Sequence, residues 1–562
     1  MFDAIVIGSG MSGGIAAKEL CERGLKVLVI ERGIKIEHGA DYMDSQMPWE
    51  LPNNNKIPED ELARDYGVQR QCYAVNEATK KFWVKDSEHP YTTPEGKPFA
   101  WIRGNHLGGR SIMWGRQSYR LSAQDFEANA KDGYGCDWPI RYEDLAPWYD
   151  HVEKFVGVAG SNEGLPQLPD GEFIPEFGLN DAEKLFKSAV EAKFRGRKVI
   201  PSRVANLSVA QPQHEELGRS NCQNRSICER GCSFGANYSS LSAALPAAER
   251  TGNLTIITDA IVQSLAQDPR TGKITEVRII DAKTKVGHTY AAKIFFLNAS
   301  TIPTAQILLN SQSEANPNGL CNKSDQVGRN LMDHVYALST VGILKDGPSD
   351  SYYKGRRPSG IYIPRFRNVT EDADGYVRGY GYQGALRRRS GAVLPSSPGF
   401  GVESKEKART LGPWLVYLAG FGEMLPNPEN RVTLNEKNLD KWGIPIIHID
   451  CVQGPNEAKM AKQILTDGKA MIEAAGGIVV SQSDKPGVPG LGIHEMGTAR
   501  MGKNPMTSVF NKYNQAHEAP NLFCTDGAVM ASSGCQNPSL TYMALTARAA
   551  HHAAELLKEG RL

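Results

Sequence analysis

The chain has 562 residues, 40% of them hydrophobic and 23% charged, with Lys+Arg 64 against Asp+Glu 63. That balance leaves no net field to draw in nucleic acid or an anionic membrane, and the length calls for two or three packing units rather than one small core. No apolar run reaches the roughly 18 residues of a spanning helix, and the amino terminus enters a strand pattern without a charged n-region or cleavable stretch, which by itself reads as cytoplasmic.

In chain order, Phe2 to Ile7 is a short apolar run ending in Gly8-Ser9-Gly10-Met11-Ser12-Gly13-Gly14. A helical pattern follows from Ile15 to Arg23 and is closed by Gly24; Leu25 to Ile30 reads as a second strand, with Glu31 and Arg32 at its end. Strand, G-x-G-x-x-G, helix, strand, acid is the order that binding a dinucleotide requires. Gly8 permits the tight turn, Gly10 lets backbone approach a pyrophosphate, and Gly13 lets helix and strand pack. The helix amino terminus, with Ser12, faces the phosphates, and Glu31 can accept from a ribose hydroxyl pair. These residues alone do not choose between NAD and FAD.

Residues 33 to 100 are polar and weakly periodic, an excursion of loops and short helices. The stretch from Arg103 to Gly115 is dense in glycine, including Gly108 and Gly109 beside Ser111. It reads either as backbone that approaches a ligand closely or as a compact turn around a buried Trp114. Amphipathic helices are expected at Asp144 to Val158 and Asn180 to Ala192. Then comes Asn221-Cys222 through Cys228 to Cys232, a C-x5-C-x3-C cluster with Gly231 loosening the backbone. Soft thiolates suit an iron–sulfur cluster or zinc, and three ligands fit a cluster lacking one iron better than closed four-coordinate zinc. The alternative is a loop of ordinary thiols, or one disulfide and a spare. The other seven cysteines show no paired spacing.

Ser240 to Glu249 reads as a helix, and Leu254 to Ile257, Ile274 to Asp281 and Lys293 to Asn298 as strands, so an α/β pattern returns. From Tyr336 to about Pro486 the pattern becomes aromatic-rich and alternating, as in Gly360-Ile361-Tyr362-Ile363 and Trp414 to Leu418, which predicts an antiparallel sheet in a separate substrate domain. Arg387-Arg388-Arg389 is expected in a polar loop there. The fold class is mixed α/β.

Over nearly its whole length the chain resembles the glucose-methanol-choline (GMC) flavoprotein oxidoreductases. The likeness is carried by the amino-terminal fingerprint, Leu107 to Ser111, Phe295 to Ser300, Val327 to His334, Asn521 to Ala528, and Asn537-Pro538-Ser539-Leu540-Thr541. It implies a Rossmann-type FAD domain from residues 1–150, 200–335 and 487–562, with the cysteine loop at 221–235. The substrate domain would be 151–199 and 336–486. Asp526, Gly527, Asn537 and Ser539 are implied at the cofactor. Met113 stands where the pyranose oxidase branch has a flavin-linking histidine, so FAD is expected to be non-covalent.

The cysteine insertion resembles that of the catalytic subunits of bacterial sugar dehydrogenases acting on glucose, gluconate, fructose or the 3-hydroxyl of glucosides. In those, the same spacing holds a [3Fe-4S] cluster. Cys222, Cys228 and Cys232 are implied as its ligands, with electrons passing to a cytochrome c-type partner subunit. A small companion subunit carrying the export signal implies a periplasmic location, against the cytoplasmic look of the amino terminus.

Oxidising a carbinol needs a base that titrates near neutrality, and histidine is the natural choice. Gly492 to Ala499 resembles the family's catalytic-histidine segment, which assigns His494 as base and Asn537, an amide that can only donate or accept, as the group positioning the substrate oxygen. His334, His448 and His517 are expected to be structural, Glu495 a candidate for tuning His494, and Trp101, Trp114 and Trp414 core. Gly115 to Arg120 resembles the glucoside 3-dehydrogenases, so C3 of a glucoside is the expected target. An oxygen-using carbohydrate oxidase with inert cysteines, or a non-catalytic flavoprotein scaffold, are the competing readings.

Overall fold

The computed structural model describes residues 2–345, 347–348, 358–370, 375–390 and 400–562. Strands β1 (Ala4–Ile7) and β2 (Val27–Ile30) are buried at every position, which is why they read as unbroken apolar runs rather than alternating ones. They sit at the centre of a five-stranded parallel sheet whose order is 522–523, 294–297, 4–7, 27–30 and 254–257. Three distant stretches of chain therefore build one sheet. Helix α1 (Met11–Cys21) covers it and packs through Ala16, Ala17 and Leu20 against Ala549, Ala550 and Ala553 of the helix Ser539–Lys558. The strand Ile274–Asp281 lies outside this sheet, in a three-stranded antiparallel one with 260–267 and 287–290.

The second layer is a six-stranded sheet in the order 477–483, 334–344, 411–423, 380–390, 361–363 and 200–201. Strand Leu411–Glu423 explains its two faces. Val416, Leu418, Gly420 and Gly422 point to the helix Pro455–Ala474, and a Cβ on Gly420 would meet Ile464 Cγ2 at 2.3 Å, so glycine is what lets that helix close on the sheet. Tyr417 and Phe421, on the alternate positions, face the other way, into a cavity.

Three sequence expectations are corrected here. Ile200–Pro201 pairs with 361–362 at the edge of the antiparallel sheet, although residue 200 was assigned to the dinucleotide half. Tyr142–Val156, whose last turn was placed with the substrate half, packs on the carboxyl-terminal helix, with Tyr149 Oη 2.8 Å from Thr541 Oγ1. The run Arg387 to Arg389 is not in a loop but in strand Tyr380–Ser390, paired with 411–423. Nothing in the local composition marks any of these; pairing partners decide them.

A buried ion pair network joins the halves. Arg378 Nη1 donates to Glu423 Oε1 (2.7 Å), Nη2 to Asn129 Oδ1 (2.7 Å) and Nε to Asp132 Oδ2 (2.5 Å). Removing one partner of such a network strands a desolvated charge. Arg378→Met is expected to lower unfolding free energy by about 3–5 kcal/mol, read from the urea midpoint. Lys283→Met, which breaks an exposed pair with Asp259, is expected to leave the urea midpoint unchanged.

Candidate active site

Between the two sheets lies a cavity of about 690 Å³, bounded at one end by Gly8, Gly10 and Ser12 and at the other by Tyr336, Gln383 and Phe421. At the first end the glycines have separate jobs. Gly8 adopts φ +94°, and a Cβ there would lie 2.3 Å from Asn298 O; one on Gly13 would lie 1.9 Å from Gly8 O. A Cβ on Gly10 would meet no protein atom within 4 Å, because it would project into the cavity. Ser12, Glu31, Arg32, Gly109 and Ser111 line the same wall, whereas Gly13 and Gly108 shape it from behind. Gly108 N donates to Ser9 Oγ (2.9 Å), and a Cβ on Gly109 would lie 3.1 Å from Gly10 Cα, so the second glycine-rich stretch rests on the first.

Glu31 has a bracing role that the motif does not reveal: its carboxylate accepts from Ser9 Oγ (2.6 Å), Ser9 N (3.2 Å) and Gly33 N (2.8 Å). Burial pushes its pKa up. Asp526 accepts from Ser300 N, Thr304 Oγ1 and Ala528 N at 2.6–2.9 Å, tying the carboxyl-terminal segment to the middle one, while Gly527, Asn537 and Ser539 line the cavity beside it. Asn298 Nδ2, Tyr542 Oη and Arg103 Nε are buried without a partner, and all three residues line this wall. Leftover donors of that kind, beside a helix amino terminus and an open Gly10, fit a dinucleotide's phosphates, ribose and ring oxygens.

At the other end, Asp333 accepts backbone N–H bonds from Gly490 (2.8 Å), Gly492 (2.9 Å) and His494 (3.1 Å). The loop so held keeps Ile493 at φ +61°, a conformation that strains a β-branched residue by about 1–3 kcal/mol. His494 Nδ1 lies 2.8 Å from His334 Nδ1, and its Nε2 lies 3.4 Å from Asn537 Nδ2. Asn537 Oδ1 accepts from Gln383 Nε2 at 2.7 Å. Burial, with His334 and Arg110 adding to it, holds the His494 imidazole well below its ordinary pKa, so at neutral pH it is uncharged and able to take a proton.

His494 and Asn537 thus come together across the cavity. His334, expected to be structural, touches His494 directly, and Glu495 does not: its carboxylate pairs with Arg110 (3.0 Å). His448 and His517 bond Thr92 and Ser508 away from the cavity. Trp101 and Trp114 line the cavity, while Trp414 is packed in the sheet with Nε1 on Pro348 O. Gln383, Tyr336 and Phe421 escaped the sequence reading; their only signal was strand alternation.

The three thiols of Cys222, Cys228 and Cys232 are free and partly exposed. Thiolates on one zinc at about 2.3 Å each stand at most about 4.6 Å apart. Among the described residues, only Glu19, His151 and His551 bring three ligand atoms within 4.8 Å, so the thiols are not at single-ion spacing. That trio in turn is already bonded within itself, and Lys18 and Arg23 pair with Glu19. Burial, and then the neighbouring thiols of Cys228 and Cys232, push Cys222 up to about 11. Arg116, Arg219 and Arg225 interact electrostatically with these thiols. Arg116 also lines the cavity.

A parallel sheet with a dinucleotide cradle at its strand ends, closed over a neutral histidine, defines a redox enzyme of the dinucleotide-binding class. Comparison with known proteins narrows this. The GMC oxidoreductase models match residues 197–336 and 426–546, and an NAD(P)-binding Rossmann-like domain matches 6–36. The fructose dehydrogenase large subunit of Gluconobacter japonicus is 28% identical over 99% of this chain and 98% of its own. Paromamine 6'-oxidase of Streptomyces fradiae is 28% identical over 98% and 91%. The pyridoxine 4-oxidase structure from Mesorbium loti superposes with a TM-score of 0.60 at 17% identity, covering 98% of this chain and 99% of that one. The chain belongs to the GMC oxidoreductases, and FAD is the dinucleotide of its cradle.

Gly10→Ala is expected to leave the apoprotein's urea midpoint unchanged and to weaken FAD binding by at least about tenfold, measured by flavin fluorescence titration. Gly13→Ala is expected to lower the midpoint as well, since its Cβ collides with backbone.

Proposed function

We propose that the protein is an FAD-dependent dehydrogenase that oxidises a secondary hydroxyl of a sugar or glycoside, with C3 of a glucoside preferred. The observation that carries this reading is the pair His494 and Asn537, set side by side at the end of the cavity remote from the phosphate cradle. The flavin supplies a hydride acceptor when bound. His494 Nε2 takes the hydroxyl proton and Asn537 Nδ2 donates to the same oxygen, which together orient the C–H bond and prevent an alkoxide from building up. Gln383 holds the Asn537 amide in the donating orientation. Tyr336 and Phe421, with ring centroids 4.9 Å apart, offer an apolar wall for a sugar face beside polar Gln383 and Ser339. The similarity to a fructose dehydrogenase large subunit and the likeness of Gly115 to Arg120 to glucoside 3-dehydrogenases support the substrate class. Met113, at the place of a linking histidine, supports non-covalent FAD.

Cys222, Cys228 and Cys232 would hold a [3Fe-4S] cluster, which supplies one-electron transfer. Two features support it. The thiols are close without single-ion spacing, as expected when each binds a different iron. Arg225 beside them is paired with Asp44, but Arg116 Nε, Arg219 Nη2 and Arg230 Nε are buried with no partner, which suits an anionic group. The onward acceptor would be a cytochrome c-type subunit, and a small companion subunit would carry the protein to the periplasm. The similarity to paromamine 6'-oxidase favours a second reading, an oxygen-using carbohydrate oxidase with inert cysteines.

Anaerobically purified protein should contain iron and sulfide, with a [3Fe-4S] EPR signal that Cys228→Ser abolishes; reconstituted protein without iron would overturn the cluster. With glucose or methyl glucoside and an artificial acceptor, His494→Ala is expected to slow flavin reduction by about 10²–10⁴-fold. Rapid peroxide formation in air would favour the oxidase.

A further inference from the structure

We propose that His334 fixes the tautomer of His494, so that the lone pair on Nε2 faces the substrate; the inference rests on reading His494 as the base. The argument follows the direction of each hydrogen bond. His334 Nε2 lies 2.9 Å from Gly534 O, and a carbonyl can only accept, so that nitrogen carries a hydrogen. The ring is fully buried and burial pushes its pKa down to about 4, so at neutral pH its Nδ1 has a lone pair and no proton. The atom at bonding distance from that lone pair is His494 Nδ1, at 2.8 Å, which must therefore be the donor. A neutral His494 with its hydrogen on Nδ1 has its lone pair on Nε2, and the amide Nδ2 of Asn537 is the group facing it, at 3.4 Å. The bonds thus all run one way: Gln383 to Asn537, Asn537 to His494, His494 to His334, His334 to Gly534.

Free in solution, a neutral imidazole holds its hydrogen on either nitrogen, and the wrong choice here would point an N–H at the substrate hydroxyl. Which nitrogen is protonated is set by the partner of the other one. In serine proteases a carboxylate does this for the catalytic histidine, and an amide that imposes the wrong tautomer costs about 10⁴ in rate. His334 is a neutral counterpart. It accepts one hydrogen bond and adds no negative charge, so it orients without raising the basicity of His494 as a carboxylate would. The ring centroids are 4.8 Å apart with the planes at 78°, and the contact between them is the one from Nδ1 to Nδ1. Its neighbour Asp333 fixes the backbone of the same residue through His494 N. Two consecutive residues therefore hold His494, one by its main chain and one by its ring. When His494 takes the hydroxyl proton, the Nδ1–H bond remains made. The other N–H of His334 is committed to a buried carbonyl, so the proton passes no further along this chain.

The test is anaerobic stopped-flow reduction of the FAD holoenzyme by whichever of glucose or methyl glucoside turns over. His334→Phe keeps a ring and removes the acceptor. It is expected to lower the limiting reduction rate by about 100-fold or more while substrate Kd stays within about threefold. His334→Asn places a carbonyl oxygen near the position of Nδ1, and is expected to stay within about tenfold of the wild type. A Phe variant that reduces at the wild-type rate, or an Asn variant that falls as far as Phe with full flavin content, would overturn the proposal. Should the Phe variant fail to take up flavin, His334→Ala with added imidazole gives the same reading. Restored reduction supports the tautomer role and no restoration overturns it. His494→Ala separates the two levels. Wild-type reduction in that variant sinks the base assignment itself, whereas an inactive His494→Ala beside an active His334→Phe sinks only the role of His334.

Discussion

One buried carboxylate holds the site together. Asp333 stands at the start of the antiparallel sheet's second strand and accepts three backbone hydrogen bonds from the loop that carries His494. Burial, and then nearby Glu495, push its pKa up to about 6, so at neutral pH it is mainly the anion that those amides are suited to hold. The loop needs this restraint because Ile493 is in the left-handed region, where a β-branched residue does not stay unaided. The site geometry depends on it: the reach of His494 to Asn537 is set by a main chain that would otherwise relax.

Around that anchor, burial acts differently on each group. It keeps His494 and His334 neutral, which is what a base and its hydrogen-bond acceptor require. It leaves Arg116 and Arg219 with unmatched N–H groups beside the cysteine loop, a cost that an anionic occupant would offset. And it makes the Arg378 network a joint between the halves, since Glu423 is almost wholly buried and Arg378 is its ion-pair partner. The cavity is therefore polar at particular atoms and apolar between them, as a site that must orient one hydroxyl should be.

The parts of the fold that were legible in the sequence are those governed by neighbours along the chain. Gly8 and Gly10 lie between a buried strand and a helix, and Gly13 stands in that helix's first turn, so their spacing is readable along the chain. The apolar runs of β1 and β2 and the alternation in 411–423 are likewise local. The contacts that were misread join residues far apart. His334 and His494 are 160 residues apart, and neither flanking sequence records that their rings meet. Glu495 is adjacent to His494 yet points to Arg110, because neighbours on an extended segment face opposite ways. Ile200–Pro201 is too short to carry a strand pattern and is a strand only because 361–362 pairs with it.

By itself, the sequence determined the dinucleotide cradle, the family, and the two residues, His494 and Asn537, that face each other in the cavity. Backbone conformation at single positions suffices for the cradle, whereas the family, and with it His494 and Asn537, came from the resemblance of motifs dispersed along the chain. The tertiary structure alone decided which groups complete them: His334 behind the imidazole, Gln383 behind the amide, and buried arginines around the thiols. Their roles come from a direction of hydrogen bonding or a sign of charge at a distance of a few ångströms, and that distance exists only once strands from separate parts of the chain have been laid side by side.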